Sequence, residues 1–247
     1  MVLAVTNPLT CLATALALAT AAAPMSAEEF PAQRLDLSSW KLTLPVDRDS
    51  NSSPDEVEPG DLRRFVLPGI FELSSSQPAG VIFRAPCGGV TTRGSKYPRC
   101  ELRELLGTRD AAWSTSDERP HILHARLQIS ATPLNKKHVV CAQIHDANDD
   151  LLMVRLEGEK LLIERNGDGD VLLERHYKLG APFDLVIQAG QGRVKVSKDG
   201  KEALNWEVVR SGCYFKAGCY TQSNLKSGDV SDAFGEVIIH SLRLSRE

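Results

Sequence analysis

Three short stretches concentrate side chains suited to an anionic, hydroxylated ligand. In Arg99-Cys100-Glu101-Leu102-Arg103, the alternation of a strand puts Arg99, Glu101 and Arg103 on one face and turns Cys100 and Leu102 toward a core. In Cys141-Ala142-Gln143-Ile144-His145, the same rule groups Cys141, Gln143 and His145. From Tyr214 to Gln222, the residues Tyr214, Lys216, Gly218, Tyr220 and Gln222 share one side, while Phe215, Ala217 and Cys219 take the other. Guanidinium and ammonium groups pair with carboxylates, amides and phenols donate hydrogen bonds, and His or Tyr can transfer a proton. The first stretch also lies in a basic neighbourhood. Arg84 to Arg109 holds six Lys and Arg against Glu101 and Glu104. Exposed cross-strand ion pairs would look the same on any single strand, but three such strands together favour a binding face.

Other chemistries fail on spacing. Cys141 and His145 would stand about 13 Å apart along a strand, too far for a nucleophile and its base. His121 and His124 fall on opposite faces of their strand. Glu101 is the one acid in the polar sets, whereas glycoside hydrolysis needs two facing a cleft. There is no G-x-S-x-G, no P-loop and no dinucleotide fingerprint in strand–helix context. No cysteine pair has the C-x-x-C spacing of a structural zinc site.

The elements that must position these residues are strands. Apolar and polar residues alternate in 121–130 and 138–145, with similar runs at 151–157, 161–165, 171–177, 183–188, 193–197, 204–209, 213–222 and 236–244. Turn signals such as Asn166-Gly167-Asp168-Gly169 and Asp199-Gly200 separate them. Many short strands at close spacing predict an all-β antiparallel sandwich or barrel. The chain has 247 residues, within reach of one such domain, and no linker or repeat interrupts it from about residue 32.

Composition bounds the rest. With 29 Lys and Arg against 32 Asp and Glu, 42% apolar and 25% charged residues, this is the balance of a soluble globular protein. The lack of a basic excess argues against nucleic acid as a partner. Residues 1–27 carry no charge before Glu28, and the Leu, Ala and Thr run from Leu9 to Ala23 reads as a secretory signal peptide, too short to span a membrane. A secreted domain over 28–247 is expected, with no membrane partner. Export would permit disulfides among Cys87, Cys100, Cys141, Cys213 and Cys219, and an odd count leaves at least one thiol free. Cys87 and Cys100, which bracket a Gly-rich loop, are the expected pair. Asn51-Ser52-Ser53 is a glycosylation sequon in a polar loop.

At the three polar stretches the sequence resembles the alginate lyases of polysaccharide lyase family 7. The likeness rests on an R-x-E-L-R element at 99–103, a Q-I-H element at 143–145 and the nine-residue Tyr214-Phe215-Lys216-Ala217-Gly218-Cys219-Tyr220-Thr221-Gln222. The opening from Leu35 to Pro45 also looks like that family's first strand, so the resemblance runs from about residue 33 to the C-terminus. Cys100, Cys219 and Thr221 depart from the usual residues, all on the face turned from the polar set.

The resemblance implies a β-jelly roll, two antiparallel sheets with a concave groove, and β-elimination on a polyuronate without metal or other cofactor. It implies that Arg99, Gln143 and His145 surround the uronate carboxylate, that Tyr220 protonates the leaving oxygen, and that Glu101, Arg103, Tyr214, Lys216 and Gln222 line the substrate site. On a mannuronate Tyr220 can also act as base, with Arg99, Arg103 or Lys216 favouring its phenolate; on a guluronate His145 is the natural base. Ile144 within Q-I-H leans the family reading toward guluronate-containing blocks, a preference worth about 1 kcal/mol. The implied partner is alginate or a related anionic polysaccharide, met by a monomer. The alternatives are a lyase for another polyuronate such as glucuronan, a non-catalytic binding module, and a structural β-protein.

Overall fold

Alternation in the sequence becomes two stacked antiparallel sheets, because each strand has one apolar face to bury. The computed structural model of the protein describes residues 1–2, 29–75 and 79–246. The expected signal peptide falls on residues 3–28 for nearly all its length, outside the described residues. In chain order the strands are β1 (Trp40–Thr43), β2 (Glu56–Val57), β3 (Phe71–Leu73), β4 (Val81–Pro86), β5 (Arg99–Leu106) and β6 (Arg109–Asp110). Then come β7 (His121–Ala131), β8 (His138–His145), β9 (Asp150–Glu157), β10 (Lys160–Glu164) and β11 (Val171–Glu174). The last five are β12 (Phe183–Gly190), β13 (Arg193–Lys198), β14 (Lys201–Glu207), β15 (Tyr214–Thr221) and β16 (Phe234–Arg246).

One sheet runs β11-β10-β9-β8-β15-β5-β1-β2, with β6 attached to β5, and the other runs β14-β13-β12-β7-β16-β4-β3. The all-β jelly roll is thus present, with the three polar stretches side by side as β5, β15 and β8. The two final strands, β15 and β16, are each internal to a sheet. Between the sheets, Leu42, Leu102, Ile144, Val154 and Phe215 meet Phe83, Leu123, Leu127, Ile187 and Val237, all fully buried. Each such large side chain contributes about 1.5–3 kcal/mol through burial.

The register of the site face shifts at two bulges, and at the first of them side-chain alternation fails. Val140 pairs with Arg155 and Ala142 with Val154, so Cys141 is the extra residue of β8. This breaks the phase of the strand. Cys141 packs in the core with Ala142 and Ile144, while Gln143 and His145 face away from it. The expected grouping of Cys141 with Gln143 and His145 is therefore corrected. On β15 the register slips between Ala217 and Tyr220, with Gly218 at φ +138°. A Cβ there would stand 2.6 Å from the Cys100 carbonyl oxygen, so only glycine fits.

The expected Cys87–Cys100 disulfide is also corrected. Cys87, Cys100, Cys141, Cys213 and Cys219 are all buried free thiols. Neighbours in sequence are not neighbours in the sheet: Cys100 Sγ turns inward to the Ile70 carbonyl at 3.6 Å, while Cys87 follows β4 of the other sheet. Cys213 Sγ faces the Arg210 carbonyl, also at 3.6 Å.

Candidate active site

The central strand β15 carries the register of the site. On one side Lys216 pairs with Arg103, Gly218 with Glu101 and Tyr220 with Arg99; on the other, Tyr214 pairs with His145 and Lys216 with Gln143. Period 2 then places Arg99, Glu101, Arg103, Gln143, His145, Tyr214, Lys216 and Tyr220 on one face. Gln222 lies just past the strand, its Oε1 accepting from Arg155 Nη1 at 3.3 Å.

Glu101 anchors this face. It is 0% exposed, with Oε2 2.7 Å from Lys216 Nζ and 3.0 Å from Arg99 Nη1, and its Oε1 accepts from the Gln143 amide. The bond from β5 to Gln143 on β8 crosses over β15, where Gly218 presents no side chain to block it. Burial alone would raise the Glu101 carboxyl, but Lys216 and Arg99 outweigh it and hold the group ionised, below its ordinary value. Burial in turn pushes the Lys216 ammonium down to about 8, with Arg99 adding to the effect and Glu101 opposing it. The sequence expectation put Glu101 against substrate. Its complete burial makes it the support of Arg99, Lys216 and Gln143.

Two cations thus share one carboxylate, which leaves the floor one anion short. Arg99 Nε and Arg103 Nε are moreover buried without a hydrogen-bond partner among the described residues. A buried orphan donor costs about 1–3 kcal/mol, which an incoming acceptor can offset. The Arg103 guanidinium otherwise reaches Asp110 at 3.2 Å and lies 3.9 Å over the Tyr214 ring.

The two proton-transfer candidates sit on either side of this floor. His145 Nδ1 is 2.5 Å from the Asp146 carbonyl oxygen, which can only accept, so Nδ1 carries the hydrogen. The lone pair of the neutral ring is then on Nε2. Tyr214 stacks on the ring at 5.5 Å with its Oη 3.1 Å from the same Nδ1. Burial lowers the His145 pKa and outweighs the bond to Asp146, so the neutral form dominates near pH 7. Tyr220 packs under Arg99, whose guanidinium is 4.0 Å from its ring centroid. Burial raises the Tyr220 phenol above its ordinary value against the pull of Arg99. Of the cations expected to favour a phenolate, Arg99 does lie on the ring but burial outweighs it, while Arg103 is engaged with Tyr214 and Asp110 and Lys216 with Glu101. Tyr220 is therefore protonated at neutral pH.

The alginate lyase family model matches residues 35–246. The chain belongs to the alginate lyases. It superposes on the alginate lyase AlgAT5 of polysaccharide lyase family 7 with a TM-score of 0.84 and 40% identity, over 89% of this chain and 100% of that one. The alginate lyase of Corynebacterium sp. gives a TM-score of 0.83 and 38% identity over 88% and 98%. A curated alginate lyase from Klebsiella pneumoniae is 33% identical over 87 residues, 34% of this chain and 28% of that protein's length. The family fold and the one built here agree.

Sequence reasoning missed the residues around Tyr220 that come from loops and outer strands. Ser95 Oγ lies 3.2 Å from Tyr220 Oη, and Tyr97 packs against the Tyr220 ring at 6.3 Å. Both sit in a polar Gly-Ser-Lys-Tyr turn with no strand pattern to flag them. Asp150, opposite His145 at the start of β9, is pushed up to about 6 by burial and by Glu164 and Asp149. Ile144, the specificity marker of the resemblance, points into the core rather than the groove. An open cavity of about 730 Å³ adjoins the β1–β2 end of the face, with Thr43, Arg48, Glu56 and Arg93 in its walls. Asp47, Asp49 and Asp55 bring carboxylate oxygens within 4.8 Å of one another in the nearby loop, where Ser52 and Asn51 N–H groups and Arg48 already engage them.

Proposed function

We propose that the protein cleaves the 1,4-glycosidic bonds of alginate by β-elimination, leaving 4,5-unsaturated uronate ends. The observation that carries this reading is the buried floor in which Arg99 and Lys216 share the single carboxylate of Glu101. It is one anion short, and a uronate carboxylate supplies that anion. Removing the C5 proton builds negative charge onto this carboxylate, so fixed positive groups there stabilise the transition state more than the ground state. Arg99 and the second N–H of the Gln143 amide are the donors assigned to it. His145 Nε2 takes the C5 proton, the C–H electron pair becomes the C4–C5 double bond, and the C4–O pair leaves with the glycosidic oxygen. Tyr220 gives its phenolic proton to that oxygen. No step draws on a cofactor.

Base and acid are here two separate residues, His145 with a free Nε2 and a protonated Tyr220, which suits a guluronate, where proton and leaving group are anti and one group cannot serve both. We therefore assign guluronate-containing blocks as the preferred substrate. Ile144 would act on this from below, through the packing that supports Gln143 and His145. Secretion is proposed on the uncharged Leu–Ala run from Leu9 to Ala23, and action as a monomer is retained with it.

The test is ultraviolet absorbance of the protein mixed separately with polyguluronate, polymannuronate and glucuronan. Elimination conjugates a new double bond to the carboxylate, which hydrolysis does not. Absorbance rising fastest on polyguluronate is expected. A faster rise on polymannuronate overturns the block preference, one on glucuronan alone overturns alginate, and a flat trace from folded protein overturns the lyase.

The pH profile of kcat/KM follows from the same groups. His145 must be neutral to accept a proton, and its lowered pKa keeps it so below the ordinary imidazole range, so activity is expected to persist on the acid side. Lys216 loses its charge near pH 8, and the profile is expected to fall there as the floor loses a cation. A profile that stays flat well above pH 8 would remove Lys216 from this role.

A further inference from the structure

The loop joining β4 to β5 carries one hydroxyl with more partners than it can serve at once. Ser95 Oγ accepts from the Tyr97 N–H at 3.2 Å and from Arg99 Nη2 at 3.2 Å. Those fill the two lone pairs a hydroxyl has. Its own proton therefore turns to one of two oxygens, the Tyr97 carbonyl at 3.1 Å or Tyr220 Oη at 3.2 Å. Tyr220 cannot donate to Ser95 without displacing an N–H, so the phenolic proton stays free for a ligand.

We propose that Ser95 is a positioning residue for Tyr220: its hydroxyl leaves the phenolic proton free before transfer, then swings from the Tyr97 carbonyl to the phenolate oxygen once that proton has gone. This rests on Tyr220 being the acid of the elimination. No bond to Ser95 is made or broken; only a hydrogen bond is redirected. The groups facing Tyr220 make such a donor valuable. Arg99 on β5 favours the phenolate, Glu101 on β5 and Asp150 on β9 oppose it, and burial opposes it most. Tyr97 contributes a ring and Val140 on β8 an apolar side chain. A donor that arrives only as the charge forms stabilises the later state selectively. The loop is held independently of Tyr220, by Lys136 Nζ donating to Tyr97 Oη at 3.0 Å and Asn224 Nδ2 donating to the Lys96 carbonyl at 2.8 Å. Removing the Ser95 hydroxyl therefore leaves the loop anchored.

The experiment compares Ser95→Ala and Ser95→Thr with the wild type in two readouts. In turnover on alginate, Ser95→Ala is expected to lose about ten- to a hundredfold in kcat, the worth of a hydrogen bond to an anion, with KM little changed. Ser95→Thr, which keeps the hydroxyl, restores most of it. The second readout needs no substrate: tyrosinate absorbance against pH, taken as the difference between each protein and its Tyr220→Phe counterpart. Tyr220 is expected to ionise about one pH unit higher in Ser95→Ala than in the wild type, and Ser95→Thr to restore it. An unmoved titration overturns the proposal, as does a raised KM with unchanged kcat. If the wild type itself makes no unsaturated product, the lyase reading falls, and the titration alone decides whether Ser95 supports the Tyr220 phenolate.

Discussion

Tyr220→Phe is expected to lower kcat on alginate by about 10²–10⁴-fold, the usual contribution of a positioned proton donor. The ring is kept, so its packing against Tyr97 and under Arg99 survives, and the melting temperature and polymer affinity should change little. The loss belongs in kcat because, in the elimination proposed, the phenolic proton moves only as the C4–O bond breaks. Wild-type and variant rates of ultraviolet product formation, with a sedimentation or retardation assay for bound polymer, separate the two effects. Turnover within a few-fold of wild type would remove Tyr220 from the chemistry.

Glu101→Gln should damage the molecule in a different currency, its stability. The substitution keeps the shape of the side chain and deletes the one negative charge beneath Arg99 and Lys216. Removing one partner of a buried ion pair costs about 3–5 kcal/mol, and for a chain of this size that corresponds to a melting temperature lower by roughly 6–20 °C. Lys216, already lowered by burial, would lose the interaction that opposes the fall and shed its proton. Activity should decline with it, since the uronate would meet one cation fewer. Thermal unfolding at neutral pH measures the first effect and kcat/KM the second. An unshifted transition would show that the two cations do not depend on Glu101.

Much of this was legible in the sequence, and the misses have a common origin. The run from His138 to His145 coincides with β8, and the third stretch with β15 to within a residue at each end. Side-chain alternation is a local property, and local properties survive translation into structure. Cys141 was misplaced because a bulge inserts one residue and inverts the phase, and nothing in Val-Val-Cys-Ala-Gln marks where. Glu101 lies in the polar set as expected, but its burial depends on donors from β15 and β8, far along the chain. Ser95 is 125 residues from Tyr220, and no periodicity joins a turn to a distant hydroxyl. The Cys87–Cys100 pairing failed for the converse reason, because closeness in sequence stood in for closeness in the sheet.

The places of β15 and β16 bear on how the molecule comes to exist. The last strand of the chain lies between β7 and β4, and the one before it between β8 and β5. Phe234 of β16 pairs with Pro86 and Tyr220 of β15 with Arg99. Each of these links closes a loop longer than half of the chain or nearly so, and such closures make folding slow. Neither sheet can be completed until β15 and β16 have been made, so a nascent chain lacking them has no finished site face and no finished hydrophobic interior. For a protein proposed to leave the cell, that delay is an asset: a polypeptide that cannot close its sheets early stays threadable through a translocation channel. With all five described thiols reduced, completion then waits on the synthesis of β15 and β16 rather than on oxidation.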